Sequence, residues 1–138
     1  MEISSRLHDA ISIAIPLELL RKSVLDVYVL LLQSDGSILP ASIMAASLAL
    51  SDAGVELFEL VSACSVAVIP ARVSTAEDNK CRNNQYHILT DPTKEEILRS
   101  ESVITVAILP NWKEVAFWDA SSSSTAWCPP TGPPFFRF

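Results

Sequence analysis

A run of apolar residues covers positions 24–33, and four β-branched or aromatic side chains lie near its start. Its centre, Val27–Leu32, contains no charged or amide side chain. This pattern is typical of a strand that is covered on both faces. Ten residues are too few to span a bilayer. We therefore expect residues 24–33 to form a buried strand.

The residues after this run predict a tight turn and then a helix. Asp35–Gly36 is a strong turn signal, Ser37 is a plausible N-cap, and Pro40 falls near the first helical position, where its missing N–H costs nothing. Gly54 can adopt a positive φ and end the helix. The face expected to pack closely on the sheet consists of small or apolar residues: Ala41, Ala45, Leu48 and Ala49.

The remaining periodic segments predict further helices and strands around this unit. An amphipathic pattern predicts a helix over residues 2 to about 15, and alternation over 60–69 predicts a second central strand, with Cys64 as a packing residue. Thr93 followed by Glu96 resembles a capping box for a short helix to about residue 100. Residues 102–109 and 115–118 predict a hairpin.

Two stretches lack any apolar period. Residues 70–88 are polar and Asn-rich, and composition alone leaves open whether they form a functional loop, a disordered insertion or foreign sequence. Residues 120–138 are rich in serine and proline, which predicts a disordered tail. We therefore expect one domain over residues 1–119.

Composition narrows the function classes. The chain has 138 residues, is 49% apolar and has a mean hydropathy of +0.31, so either its elements cover one another very completely or part of the apolar surface meets a partner. A net charge of −6 argues against electrostatic nucleic-acid binding by this chain alone. Three cysteines at unrelated spacings fit a reducing compartment, and the N-terminus has no signal-peptide pattern, which favours nuclear or cytoplasmic residence.

The titratable residues make no case for catalysis. His8 and His87 have no carboxylate or cysteine at a recognisable catalytic spacing. A metal held by Cys64, Cys81 and His87 would lack the paired-ligand spacing of zinc sites. The acidic cluster around Glu95 is best explained as charge at a helix start. We expect no catalytic residue, no metal and no cofactor.

Three motifs carry a resemblance to a known family. Leu32–Gly36, Ala41–Ile43 and Ser47–Gly54 resemble the second half of the RNase PH family, where an aliphatic strand leads into Leu-Gln-x-Asp-Gly-Gly-Thr-Arg-Thr, then Ala-Ser-Ile and Ala-Leu-Ala-Asp-Ala. Leu89–Thr93 followed by Glu95–Glu96 fits the same family. The resemblance covers residues 2–119 without 70–88. Within the family, the chain is most similar to ring subunits of the eukaryotic RNA exosome of the mRNA-transport type.

This resemblance implies a fold and a pair of chain ends. The implied class is α/β (α+β), with a partial RNase PH-like fold (ribosomal protein S5 domain 2-like) in which helices pack on a mixed sheet. It also implies that the front strands and a final helix are missing, so that the chain is truncated at both ends. Whether such a chain folds and assembles stays open, because missing strands expose sheet edges.

Departures from the family pattern indicate lost catalysis. In active members the Thr-Arg pair contributes to a phosphate site, and here Ser37, Ile38 and Leu39 stand in that turn. Aliphatic side chains offer an anion neither a hydrogen-bond donor nor a positive charge. The family also places two aspartates six residues apart, and here Asp91 matches the first whereas Ile97 stands at the second. These five positions are expected to be vestigial.

The resemblance implies a non-catalytic structural subunit of the exosome core ring that supports 3′-to-5′ RNA processing and degradation, in rRNA maturation and mRNA turnover. The implied partners are other RNase PH-like ring subunits, cap subunits and RNA through the assembled complex, with no membrane. The implied compartments are the nucleus, nucleolus and cytoplasm. The alternative is a phosphorolytic 3′-to-5′ exoribonuclease.

Overall fold

Three helices and four strands form in the residues that the computed structural model describes, which are 2–16, 18, 23–70 and 86–122. In chain order these elements are α1 (Glu2–Ser12), α2 (Ile38–Asp52), β1 (Ser62–Pro70), β2 (Tyr86–Thr90), α3 (Lys94–Arg99), β3 (Ser102–Leu109) and β4 (Glu114–Ser122).

The four strands form one sheet in the order β2-β1-β3-β4, and every neighbouring pair is antiparallel. Residues 110–113 connect β3 to β4 as a hairpin, with an irregularity between Ala107 and Ile108. The expected α+β class is confirmed. The expectation of a mixed sheet is wrong for the described strands, because none of the three pairings is parallel.

Helices α1 and α2 cover one face of the sheet. The main core combines small side chains with a few large ones: Ala10, Ala14, Ile43, Val61, Ala107, Leu109 and Ala116. A second cluster lies between the two helices and contains Ile11, Ile15, Ala46 and Leu50. The buried hydroxyls of Ser65 and Thr105 pair across β1 and β3 at 2.8 Å, so neither is left unsatisfied.

The boundaries of α2 follow local chemistry. At its C-terminal end the Val55 N–H donates to the Leu50 carbonyl (3.1 Å) and the Gly54 N–H to the Ser51 carbonyl (3.1 Å), with Gly54 at φ +74°. This is the Schellman pattern, and Val55 packs against the cluster that contains Leu50. At the other end Ser37 occupies the N-cap position, but its side chain makes no capping hydrogen bond.

The buried face of α2 is not the one predicted. Ala41, Ala45, Leu48 and Ala49 are exposed, and the buried residues are Pro40, Ser42, Ile43, Ala46, Ser47 and Leu50. Nearly every position of this helix is small or apolar, so the pattern does not single out one face. The two serines are buried without loss because the Ser42 hydroxyl donates to the Ile38 carbonyl (2.8 Å) and the Ser47 hydroxyl accepts the Val61 N–H (2.9 Å).

Residues 24–33 do not form the predicted buried strand. They have no strand pairing, and Val24, Tyr28, Leu30 and Leu32 are 83–90% exposed. The alternating residues Leu25, Val27, Val29 and Leu31 are less exposed. An extended backbone becomes a strand only when a neighbour accepts and donates its hydrogen bonds, and the described residues provide no such neighbour for this segment.

The other predicted elements agree with the structure apart from their ends. The N-terminal helix ends at Ser12, β1 corresponds to the strand predicted over 60–69, and β3 has the predicted bounds. Strand β4 runs to Ser122, so order extends three residues past the predicted domain end. Strand β1 reaches Pro70 and β2 begins at Tyr86, so both ends of the stretch predicted as irregular over 70–88 belong to strands. Residues 71–85 and 123–138 lie outside the described residues.

Cys64 is not the packing residue that was predicted. It pairs with Val106 on the sheet face that points away from α1 and α2, and it is exposed. The alternation along β1 was correct, since Val61, Ser65 and Ala67 are buried on the helix-covered face. The assignment of Cys64 was wrong because alternation identifies two faces but not whether the second one is covered.

Candidate functional site

The turn before α2 meets the segment after β2, and we call this contact the corner (residues 35–39 and 91–97). Gly36 adopts φ +103°, and a Cβ built there would lie 2.2 Å from the carbonyl oxygen of Pro92. The Ser37 hydroxyl donates a long hydrogen bond of 3.5 Å to the same oxygen. Pro92 is fully buried. The corner therefore depends on a glycine at position 36.

Asp91 enters the corner directly after β2. Its N–H donates to the Ser65 carbonyl at 2.9 Å, which extends the β1–β2 pairing by one residue, and its φ is +56°. Aspartate tolerates this left-handed conformation better than most residues. The side chain is exposed and lies beside the buried Pro92.

A capping box starts α3 at the corner. The Glu96 N–H donates to the Thr93 hydroxyl (3.4 Å), and the Thr93 N–H donates to Glu96 Oε2 (2.8 Å). The hydrogen bond from the Thr93 backbone lowers the pKa of Glu96, with smaller contributions from the Thr93 hydroxyl and from the Arg99 charge. The predicted capping box is confirmed.

Of the aliphatic positions of the corner, Leu39 serves packing. Leu39 is half-buried and packs against the main core, and Ile38 is the first residue of α2. Ile97 lies within α3, where its N–H donates to the Thr93 carbonyl at 2.9 Å. Pro40, the third helical residue, removes one N–H from the end of α2 at which an anion would bind.

The charge of the corner is also unfavourable for phosphate. The corner has one ammonium group, that of Lys94. Its carboxylates are more numerous: Asp35, Asp91, Glu95 and Glu96. An anion at this place would face like charges and aliphatic side chains instead of an arginine. The arrangement can brace α2 against the segment after β2, but it offers little to a phosphoryl group.

The histidines and cysteines considered for catalysis or metal binding lie on different elements where the structure describes them: His8 on α1, Cys64 on β1 and His87 on β2. His8 is exposed on α1, with its Nδ1 3.6 Å from Asp9 Oδ1, and His87 is exposed on β2. Within the described parts of the chain no three His, Cys, Asp or Glu side chains are placed to hold a metal ion. Cys81 lies outside those parts. No described helix has the length and apolarity to cross a membrane.

An exposed apolar strip is the feature that the sequence pattern did not reveal, and we define it as residues 23–33. Its first residues, up to Val27, lie beside α1 and leave a groove of about 390 Å³ that is lined by both segments. The groove residues are mostly apolar and include Leu7, Ile11, Ile15, Leu25 and Val27. Exposed apolar surface of this extent is typical of an interaction site.

Comparisons with known proteins agree with the family pattern of the corner. Residues 1–56 match the RNase PH family model, described as the 3′ exoribonuclease family, domain 1. The exosome complex component MTR3 of Homo sapiens is 36% identical over 115 residues, which are 83% of this chain and 38% of that protein. Residues 1–56 therefore belong to the RNase PH family by this match. The resemblance is thereby confirmed at the level of the family.

Two further exosome complex components are similar over comparable lengths. The exosome complex component RRP41-like of Arabidopsis thaliana is 36% identical over 99 residues, covering 70% of this chain and 39% of that protein. The exosome complex component Rrp41 of Pyrococcus furiosus is 36% identical over 110 residues, covering 80% of this chain and 38% of that protein. The chain thus spans about two fifths of the length of these relatives.

The crystal structure of rice (Oryza sativa) Rrp46 shows the same fold. Its TM-score is 0.51 at 23% sequence identity, and the match covers 68% of this chain and 38% of that one. The RNase PH-like fold predicted from the motifs is confirmed by this likeness.

The contact of Gly36 with Pro92, by contrast, was not predicted from the sequence. The only local sign of it is the glycine itself.

Proposed function

We propose that this chain is a non-catalytic structural subunit of an exosome core ring that supports 3′-to-5′ RNA processing and degradation, in rRNA maturation and mRNA turnover. Its partners would be other RNase PH-like ring subunits and cap subunits, with RNA reached through the assembled complex. Residence in the nucleus, nucleolus and cytoplasm is part of the proposal. The relatives that support it are named exosome complex components.

The exposed apolar strip is the observation that carries this proposal. Its large side chains alternate between more and less exposed positions, and its backbone makes no hydrogen bond with the backbone of the other described residues. A neighbouring subunit could cover the side chains and pair with the backbone at the same time. An isolated protein would leave this surface in water, which is unfavourable.

The corner supports the non-catalytic part of the proposal. Ser37, Ile38 and Leu39 occupy the turn where active members carry phosphate-binding groups, and Ile97 replaces the second aspartate. Leu39 packs against the core, so it is a structural residue here. We propose that these positions, together with Asp91, are vestiges of a phosphate and acid–base site.

Co-purification tests the ring-subunit proposal. The full chain is co-expressed with tagged RNase PH-like ring subunits, and we expect it to co-purify with them. A Leu30→Asp, Leu32→Asp variant should lose this association because it places charges in the strip. A Leu98→Asp variant is the matched control, since Leu98 is 79% exposed on α3 outside the strip. A wild-type chain that stays alone, or equal losses in both variants, would contradict the proposal.

The second candidate is a phosphorolytic 3′-to-5′ exoribonuclease, which the description of the matching family favours. It requires phosphate-dependent release of nucleoside diphosphates from RNA by the isolated protein. We expect no release even at high protein concentration. Release that disappears in an Asp91→Asn variant would establish the exoribonuclease instead.

A further inference from the structure

Two exposed aromatic side chains from distant parts of the chain meet at one end of the sheet. Phe58 precedes β1 and Trp112 lies in the β3–β4 hairpin turn, and their ring centroids are 5.4 Å apart with an interplanar angle of 43°. Phe58 is 51% exposed and Trp112 is 54% exposed. We call this pair the aromatic platform. Each ring still offers about half of its surface to a partner.

The backbone around the platform is held in place on both sides. The Phe58 N–H donates to the Ala14 carbonyl at 2.9 Å, which ties this residue to the end of the helical region before it. Glu59 Oε1 accepts the Asn111 N–H at 2.6 Å, and Oε2 accepts the Trp112 N–H at 3.3 Å. Glu59 directly follows Phe58, so its two hydrogen bonds hold the hairpin turn beside Phe58. A platform built in advance loses little conformational freedom on binding.

The charges near the platform favour a cationic partner. Glu56 is exposed two residues before Phe58, and Glu114 lies two residues after Trp112. Together with Glu59 they give residues 56–59 and 111–114 three carboxylates and one ammonium group, that of Lys113. A nucleic acid could stack its bases on the rings, but its phosphates would meet these carboxylates. A positively charged side chain gains from both the rings and the rim.

We propose that the aromatic platform docks an arginine side chain of a partner protein. The planar guanidinium stacks on aromatic rings and is more weakly hydrated than an ammonium group, so arginine fits better than lysine. The proposal rests on the proposed function only for the expectation that the partner is a subunit of the same complex. Binding of an arginine peptide tests the platform without any ring subunit.

The test follows the indole N–H signals of the full chain in ¹H–¹⁵N spectra. The chain has three tryptophans, and a Trp112→Phe variant identifies the signal of Trp112. The probe is a synthetic peptide of alternating arginine and serine. Matched peptides carry lysine or aspartate instead of arginine, and an oligoadenylate tests base stacking. We expect a saturable shift of the Trp112 signal with the arginine peptide, a weaker one with lysine, and none with aspartate or oligoadenylate.

Three variants test the assignment of this effect. Phe58→Leu keeps an apolar side chain but removes the ring, and we expect about threefold to fivefold weaker affinity for the arginine peptide. Glu56→Gln removes one rim charge, and we expect about twofold weaker affinity and a smaller salt dependence. Tyr86→Leu is the matched control, because this exposed tyrosine lies on β2 at the opposite edge of the sheet.

Several results would overturn the proposal. They are no shift of the Trp112 signal with the arginine peptide, equal shifts with the aspartate peptide, a saturable shift with oligoadenylate, or unchanged affinity in Phe58→Leu. A chain that binds the arginine peptide but does not co-purify with ring subunits supports the platform and refutes the proposed function. A chain that co-purifies with ring subunits but does not bind the arginine peptide supports the proposed function and refutes the platform.

Discussion

Replacing Gly36 by alanine tests the corner at its closest contact. The new Cβ would lie 2.2 Å from the Pro92 carbonyl oxygen and 3.2 Å from the Thr93 carbonyl carbon. Both are backbone atoms, so they cannot rotate away as a flexible side chain would. Alanine must in addition hold φ near +103°, a region that residues with a Cβ rarely adopt.

The expected loss has two parts. Holding alanine at a positive φ costs about 1–2 kcal/mol. Opening the corner to relieve the overlap costs about 1–3 kcal/mol more, as in other overpacked sites. The sum of about 2–5 kcal/mol is a large fraction of the roughly 5–15 kcal/mol that stabilises a typical domain. We therefore expect Gly36→Ala to lower the free energy of unfolding severely.

Gly54→Ala is the matched control for the steric part. Gly54 also has a positive φ, +74°, but a Cβ built there has no heavy atom within 4 Å. This variant should therefore lose only the conformational part, about 1 kcal/mol. The difference between the two variants isolates the contact of residue 36 with Pro92.

Urea unfolding, followed by far-ultraviolet circular dichroism and tryptophan fluorescence, measures both losses, and coincident transitions justify a two-state treatment. Hydrogen exchange of the Asp91 amide, which donates to the Ser65 carbonyl, reports the corner directly. We expect faster exchange in Gly36→Ala and no change in Gly54→Ala. Equal losses of stability in the two variants would refute the reasoning.

Three further predictions concern the corner and the core. Leu39→Arg, which introduces the arginine that the proposed vestigial phosphate site would have carried, should lower the free energy of unfolding by about 1–3 kcal/mol because Leu39 packs against the core. Inorganic phosphate should not recover the loss in urea unfolding, and a phosphate-dependent recovery would show an anion site. The Thr93 N–H is the main cause that holds the pKa of Glu96 below its ordinary value in the folded chain, so the contribution of Glu96 to stability is complete above the unfolded pKa and is lost as pH falls through the lowered folded value. In Glu96→Gln the free energy of unfolding should fall less at acid pH than in the wild type. An equal fall in both proteins would contradict the capping role. Thr105→Val should cost about 1–3 kcal/mol by leaving the buried Ser65 hydroxyl without its partner, and adding Ser65→Ala should recover part of this loss in calorimetry. Additive losses would mean that the two hydroxyls do not depend on each other.

Short-range chemistry was enough to predict several elements. The capping box of Thr93 and Glu96, the end of α2 at Gly54 and the bounds of β3 all depend on residues within a few positions of one another. Hydrogen bonds to helix ends and the alternation of a strand are local properties, so the amino-acid order determines them. The family resemblance was likewise carried by local motifs.

The candidate site was predictable only in part. The motifs identified Ser37, Ile38, Leu39 and Asp91 as positions of interest, but not that the turn at Gly36 lies against Pro92. Ser37 and Pro92 are 55 residues apart in sequence, and no local rule relates them. Whether Leu39 faces an anion or the core is likewise decided by what packs beside it.

The tertiary structure alone decided which apolar surfaces are covered. The sequence by itself determined that residues 24–33 are a nearly unbroken apolar run and that α2 is a helix of small and apolar residues. It did not determine that Leu48 and Tyr28 are exposed, because burial is a property of two surfaces and the sequence pattern describes only one. A strand needs a hydrogen-bonding neighbour and a helix face needs an opposing layer, and both are supplied by distant parts of the chain or by a partner.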